Sequence, residues 1–229
     1  MSHDDDGFYP IFISSVHDLK NSLIMSLGTL DEMEENCQKT NDKEGMIPVN
    51  KLQYELQRIN NSLIQLLSLY KMDNDLCAIN IDQQNVHEFL YEGLLQNRSL
   101  RESQEIEVHL NCDEELEWFF DRDLVAGIIS TIINNSCRYA KKEIILSSEE
   151  KDGFLQLIIE DDGNGFPPSI LEADGNFKFG VNFISGSTGL GLHFADEVAR
   201  LHKRGDLVGS VKLENRKNSG GGRFILSLP

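Results

Sequence analysis

Residues 155–166 read LQLIIEDDGNGF, an apolar run that ends in two aspartates and two glycines. Because residues 155–160 are rich in Ile and hold neither Gly nor Pro, they predict a β-strand. Asp161 ends this strand, and Gly163 and Gly165 form the turn after it. Glycine allows close approach to the backbone, and a lone carboxylate accepts a hydrogen bond from an exocyclic amine such as that of adenine. The stretch therefore predicts a strand that leads into a site for a flat base.

A second glycine group, GSTGLGL, occupies residues 186–192 and precedes a run with helical apolar spacing over 192–202. Glycines that open a helix leave unpaired N–H groups at the positive end of the helix dipole. Both features suit phosphate oxygens. The residues predicted to contact phosphate are Gly186, Ser187, Thr188, Gly189, Leu190 and Gly191.

Residues 128–140 predict a helix on which Asn135 and Tyr139 share a face, with Arg138 close by. The amide oxygen of Asn is a suitable ligand for Mg²⁺, which keeps several waters and binds substrate phosphates. Asn135 is therefore the candidate metal ligand, and all three residues are candidate nucleotide contacts. Alone, Asn135 would be interpreted as a solvated helical residue, but the two glycine groups favour the site.

Taken in order, the segments around Asn135, Asp161 and Gly186 resemble the N, G1 and G2 boxes of the GHKL ATPase superfamily. This superfamily includes sensor histidine kinases, DNA gyrase and certain heat-shock chaperones. The helix over 123–139 is most similar to the histidine-kinase version, and the resemblance covers roughly residues 85–229. It implies a two-layer α/β-sandwich domain that binds ATP and Mg²⁺.

The resemblance also implies a lid over residues 166–185, which closes over the nucleotide. Phe166 begins this lid and is a candidate nucleotide contact, and Lys178 within the lid is a local cation for ATP. Thr131 stands where some kinases of the family carry an earlier Asn, so weaker support for the metal is expected.

Two N-terminal stretches carry apolar residues at alternating spacings of three and four. Their positions are Phe12, Val16, Leu19, Leu23, Leu27 and Leu30, then Leu52, Leu56, Ile59, Leu63, Leu66 and Tyr70. This period predicts an antiparallel coiled-coil hairpin with a loop over 40–50, where Gly45 and Pro48 lie. Because one hairpin leaves its far side uncovered, we expect a homodimeric four-helix bundle. The alternative is a hairpin that packs on its own second domain.

His17 directly follows Val16 of the first apolar stripe, and residues 17–23 resemble the phosphoacceptor box of histidine kinases. The resemblance implies that His17 accepts a phosphoryl group and that Asp18 orients its ring. Asn21, one turn later, would position water in a phosphatase reaction. Ser22 replaces the usual Pro, so a weaker helix kink is expected.

The composition argues against several classes of partner. The formal net charge of −17 argues against nucleic acid and membrane surfaces, because no cationic excess exists to bind phosphate backbones or headgroups. The 4 cysteines are scattered and suit a reduced, cytoplasmic protein. No apolar run approaches the ~20 residues needed to span a bilayer.

The predicted fold class is α+β, with a helical-hairpin dimerisation and phosphotransfer domain over 1–75 and an ATP domain over 76–229. Residues 71–75 are predicted to be the hinge. In the second domain a helix is predicted over 86–100, and Gly-rich residues 219–221 form the last hairpin turn. The further strands are predicted at 79–81, 106–110, 118–120, 143–148, 209–215 and 222–228.

The expected function is ATP-dependent autophosphorylation of His17, followed by transfer to an Asp of a response regulator receiver domain. A phosphatase activity toward that partner is a further expectation. Since little sequence precedes His17, either the chain is a fragment of a longer protein or, as we expect, a separate sensor protein supplies the signal. One alternative is a histidine phosphotransferase, or a regulatory binding protein, that no longer uses ATP. Another is an anti-sigma-type Ser/Thr kinase, which needs no phosphoacceptor hairpin.

Overall fold

The computed structural model describes residues 5–74, 76–96, 105–172, 189–216 and 220–229. Within the first helix it describes side chains from Ser14 onward, except that of His17. The chain divides into two compact units, Met1–Asn74 and Asp75–Pro229. No helix in the described ranges is both long and apolar enough to cross a membrane.

The first unit is a helical hairpin of α1 (Asp5–Thr40) and α2 (Lys43–Asp73). The predicted loop over 40–50 is wrong, because α2 already begins at Lys43 and contains Pro48. Asn41 adopts a left-handed φ of 53°, and the Asp42 carboxylate caps α2 by accepting from the Gly45 N–H at 2.9 Å. Pro48 is the sixth residue of α2, past the first turn, so its missing N–H removes one hydrogen bond inside the helix.

Part of the predicted apolar stripe does not form the contact between the two helices. Val16 and Leu30 of α1 are buried as expected, but Leu52, Ile59 and Leu66 of α2 are 53%, 45% and 39% exposed. Two helices can bury only one face of each other, and the buried face of α2 instead holds Val49, Gln53, Gln65 and Leu69. The exposed leucines and isoleucine thus lie on a face that nothing within the hairpin covers.

The second unit is built on a sheet which has five strands over the described residues. They are β2 (Glu107–Asn111), β4 (Glu143–Lys151), β5 (Phe154–Asp161), β8 (Ser210–Asn215) and β9 (Gly222–Leu228). Their order across the sheet is β2-β4-β5-β9-β8. The β2 and β4 strands are parallel, and the other neighbours are antiparallel.

Helices cover one face of this sheet and enclose the core. They are α3 (Val86–Gln96), α4 (Arg122–Tyr139) and α6 (Leu190–Leu201), and a short helix α5 (Pro168–Leu171) follows β5. Alternate strand residues point into the core, as Leu155, Leu157 and Ile159 of β5 do, all of which are buried. The helical hairpin followed by a two-layer α/β domain confirms the predicted fold class.

Two small antiparallel pairs depart from the sequence prediction. The edge strand expected at 79–81 is instead β1 (Asp82–Asn85), which pairs with β3 (Glu117–Phe120). Its sequence, DQQN, is polar throughout, so pairing with β3 rather than apolar alternation makes it a strand. The hairpin of β6 (Lys203–Arg204) and β7 (Leu207–Val208) was not predicted, because its strands of two residues are too short for a period.

Candidate nucleotide site

Asp161 is the last residue of β5 and is only 9% exposed. Its Oδ1 accepts hydrogen bonds from the backbone N–H groups of Gly163, at 2.8 Å, and Gly222, at 3.2 Å. Its Oδ2 makes no hydrogen bond to any residue that the structure describes. One oxygen is therefore held by the protein, and the other can accept a hydrogen bond from a ligand amine.

Glycines are required on both sides of this carboxylate. A Cβ on Gly163 would overlap the carbonyl oxygen of Tyr139, and a Cβ on Gly221, which has a φ of +91°, would overlap that of Asp161. The start of β9 therefore packs directly on the Asp161 turn. The sequence pattern predicts Gly221 only as part of a hairpin turn, so its contact with Asp161 was not predicted. The sequence feature that could have indicated this role is the run of glycines at 220–222, because a hairpin turn needs fewer glycines.

Asp162 ties the turn to the segment after α4. Its carboxylate accepts from the N–H groups of Lys141, at 2.7 Å, and Lys142, at 3.1 Å. Partial burial raises the pKa of Asp162, but the N–H donors of Lys142, Lys141 and Glu143 outweigh it and hold the pKa below its usual value. The end of α4 and the Asp161 turn are thus fixed to each other.

The predicted N-box residues lie on the last turns of α4. Tyr139 is the last helical residue, and its carbonyl meets Gly163, so Asn135 lies one turn from the Asp161 turn. Asn135 is exposed, and the Arg138 guanidinium lies 5.5 Å from the centroid of the Tyr139 ring. The hydroxyl of Thr131 donates to the carbonyl of Gly127 at 2.7 Å.

The metal prediction rests on Asn135 alone among protein groups. No cluster of three His, Cys, Asp or Glu side chains suited to a metal occurs in the described part of the chain. An exposed amide oxygen fits Mg²⁺ if substrate phosphates and waters supply the other ligands.

The second glycine group is described from Gly189 onward. Gly189 has a left-handed φ of 66° and is the N-cap of α6, whose first residue, Leu190, is buried. Gly191 follows in the first turn, where backbone N–H groups lack helical partners. The predicted contacts Lys178, Gly186, Ser187 and Thr188 lie outside the described residues, as does most of the predicted lid.

In the helical hairpin, His17, Asp18 and Asn21 all lie on α1, and Asp18 and Asn21 are exposed. The side chain of His17 lies outside the described residues. Ser22, which replaces the usual Pro, donates from its hydroxyl to the carbonyl of Asp18 at 3.1 Å. The helix therefore continues through this segment.

The fold and the glycine-bounded carboxylate can be compared with known families. Residues 120–229 match the family model described as "Histidine kinase-, DNA gyrase B-, and HSP90-like ATPase". Over these residues the second unit is therefore similar to the ATPase domains of this family.

The relatives of the chain include a sensor protein. The chain is 25% identical over 236 residues to the Sensor protein SrrB of Staphylococcus aureus strain N315, a match that covers 99% of this chain. It spans 39% of the length of SrrB. The likeness therefore includes the helical hairpin as well as the second unit.

Solved structures share the fold. Full-length ShkA in complex with AMPPNP matches 96% of this chain and 45% of its own, with a TM-score of 0.66 at 17% identity. The Acinetobacter baumannii histidine kinase AdeS matches 91% of this chain and 95% of its own, with a TM-score of 0.59 at 17% identity.

Proposed function

We propose that this protein is an ATP-dependent histidine kinase that phosphorylates His17 and passes the phosphoryl group to an Asp of a response regulator receiver domain. The observation that carries the proposal is the Asp161 carboxylate, with Oδ1 held by two backbone N–H groups and Oδ2 without a hydrogen bond to any described residue. The family match of residues 120–229 and the AMPPNP bound by ShkA support ATP as the nucleotide.

In the proposed binding mode, Oδ2 of Asp161 accepts a hydrogen bond from the exocyclic amine of adenine. Guanine carries a carbonyl oxygen at that position, so an ionised carboxylate there disfavours GTP. The phosphates lie at the N-terminus of α6, where Gly189, Leu190 and Gly191 present backbone N–H groups. Asn135 would hold Mg²⁺, which would neutralise charge on the phosphates.

The phosphoryl transfer uses a neutral imidazole of His17 as the nucleophile. A nitrogen lone pair forms the N–P bond with the γ-phosphorus as the bond to the β–γ bridging oxygen breaks, and ADP leaves. The other ring nitrogen then loses its proton to Asp18. In a phosphatase reaction, Asn21 would position water against the phosphorylated Asp of the partner.

The kinase is proposed to act as a homodimer. Leu52, Ile59 and Leu66 repeat every seven residues along an exposed face of α2, and Leu19 and Met33 of α1 are also exposed. A second copy of the hairpin would cover these residues in a four-helix bundle. It stays a prediction that a separate sensor protein supplies the signal.

Labelling of the full chain with ATP that carries a radioactive γ-phosphate tests the proposed reaction. We expect an acid-labile label that is absent from His17→Gln, although this variant still binds MgATP in calorimetry. Asp161→Asn should lose both binding and label. His109→Gln is the matched control, because His109 is an exposed histidine on β2 and should keep the label.

Other outcomes would favour the alternative functions. A wild-type protein that binds no MgATP would support a phosphotransferase or regulatory binding protein. An acid-stable label on a partner would support a Ser/Thr kinase. An acid-labile label that persists in His17→Gln would contradict the proposed acceptor.

A further inference from the structure

Asn215, the last residue of β8, binds the backbone of Phe166 on both sides of that residue. Its Oδ1 accepts from the Phe166 N–H at 2.7 Å, and its Nδ2 donates to the Phe166 carbonyl at 2.9 Å. A side-chain amide that pairs with both groups imitates a neighbouring strand. The amide therefore fixes both the position and the orientation of Phe166.

Gly165 leaves the space that this amide occupies. It has a φ of +76°, and a Cβ there would lie 2.6 Å from Oδ1 of Asn215. A side chain at position 165 would thus be strained and would also push the amide away. The Asn215 clamp and the second glycine of the turn are complementary in shape.

The clamp is connected to Asp161 through Gly222. The Phe166 ring packs so closely on Gly222 that a Cβ there would lie 2.9 Å from the ring carbon Cε2. Gly222 pairs with Asn215 across strands β8 and β9, and its N–H donates to Oδ1 of Asp161 at 3.2 Å. Displacement of Phe166 would therefore disturb a group that holds the base-reading carboxylate.

The next residue, Arg216, holds the same turn from its other side. Its N–H donates to the carbonyl of Gly221 at 3.0 Å, and its Nη1 donates to the carbonyl of Asp161 at 3.4 Å. The guanidinium also lies 3.7 Å from the Glu160 carboxylate. Two consecutive residues, the last of β8 and the one after it, thus contact the turn that follows β5.

We propose that Asn215 is a positioning residue of the nucleotide site, which acts on the base through Phe166, Gly222 and Asp161. The proposal rests on the proposed function, because it assigns a role toward the nucleotide. Asn215 does not itself contact the base. Its amide keeps the Asp161 turn in the geometry that distinguishes adenine from guanine.

The test compares Asn215→Ala, Asn215→Asp and wild-type full chain by calorimetry with MgATP and with MgGTP. Loss of two hydrogen bonds should raise the Kd for MgATP by about tenfold or more in Asn215→Ala and lower the preference for ATP over GTP. Asn215→Asp keeps an acceptor for the Phe166 N–H and should lie between the two. Ser210→Ala, at the exposed start of the same strand, is the control and should bind within about twofold of wild type.

Self-phosphorylation kinetics separate positioning from general damage to the fold. Asn215→Ala should raise KM for ATP by about tenfold with kcat within about twofold, because a group that acts at the base end changes binding more than the transfer step. A fall of about tenfold in the kcat of Asn215→Ala, without a change in its KM for ATP, would overturn the proposal. So would MgATP and MgGTP affinities in both Asn215 variants that match those of Ser210→Ala. If wild type and Ser210→Ala both fail to bind MgATP, the proposed function itself fails, and the role of Asn215 fails with it.

Discussion

The backbone N–H of Asp121 donates a 3.0 Å hydrogen bond to Nε2 of His202, a histidine that is 1% exposed. The other ring nitrogen, Nδ1, lies 2.8 Å from the carbonyl of Val198 and must therefore carry the proton. Asp121 also caps α4, because its Oδ1 accepts from the Leu124 N–H at 3.0 Å. The neutral imidazole thus joins the end of α6 to the start of α4.

Acid should weaken the fold through His202. Burial lowers the pKa of His202 more than the Val198 carbonyl and the Asp121 carboxylate raise it. Above pH ~6.5 the ring is neutral in both folded and unfolded chains. As the pH falls below that value, the unfolded chain binds the proton first, so the free energy of unfolding falls with pH. Urea unfolding between pH 8 and 5.5 should show this fall, and a smaller one in His202→Gln. If the free energy of unfolding fell equally with pH in wild type and in His202→Gln, the role assigned to His202 would be contradicted.

Gly221→Ala should destabilise the second unit strongly. The added Cβ overlaps the carbonyl oxygen of Asp161 at a φ of +91°, so both steric overlap and backbone strain oppose it. We expect a loss of about 3 kcal/mol or more in the free energy of unfolding. Gly205→Ala is a matched control, because Gly205 also has a positive φ, of +61°, but its Cβ would meet open space.

The control should lose only about 1–2 kcal/mol, the cost of a left-handed residue alone. Chemical denaturation of both variants provides the measurement. Equal losses would show that contact with Asp161 does not decide the requirement for glycine at position 221.

Asp162 should stabilise the junction between α4 and the Asp161 turn. Asp162→Ala leaves the N–H groups of Lys141 and Lys142 without their acceptor, and should cost about 1–3 kcal/mol. Asp162→Asn keeps an acceptor oxygen and should lose less.

The stabilisation by Asp162 should depend on pH. Because the folded pKa of Asp162 lies below its usual value of 3.8, this contribution is present above that pH and is lost as the pH falls through the folded pKa. Unfolding at pH 7 and pH 3 should show the difference between wild type and Asp162→Ala shrink at the lower pH.

The exposed face of α2 should hold the dimer together. Ile59→Lys places a charge in the middle of the exposed row of Leu52, Ile59 and Leu66, and should weaken self-association by at least about tenfold. Gln57→Lys adds the same charge to an exposed position on a different face of α2 and should leave association unchanged. Sedimentation of the full chain over a range of concentrations provides the measurement. A wild-type chain that stays monomeric would contradict the proposed bundle.

Most elements of the second unit could be predicted from local patterns. The strand before Asp161 is predicted by its apolar run, and α6 by its periodic apolar residues after a glycine group. The prediction was less accurate in the hairpin, since the heptad pattern of α2 predicts an apolar stripe but not which neighbour covers it. Gln53 can be buried in this contact, although it is polar, because its Nε2 donates to the carboxylates of Asp31, at 2.9 Å, and Glu34, at 3.1 Å.

The sequence by itself determined the chemistry of the candidate site: a carboxylate at a strand end, glycines after it, and a glycine-capped helix further along the chain. These are local features, because each depends on residue types a few positions apart. Only the tertiary structure decided which distant groups complete the site. Gly222 reaches Asp161 because β9 pairs with β5, and Asn215 reaches Phe166 because β8 pairs with β9. Such contacts depend on strand order and register, which long-range packing sets and which no short segment of sequence encodes.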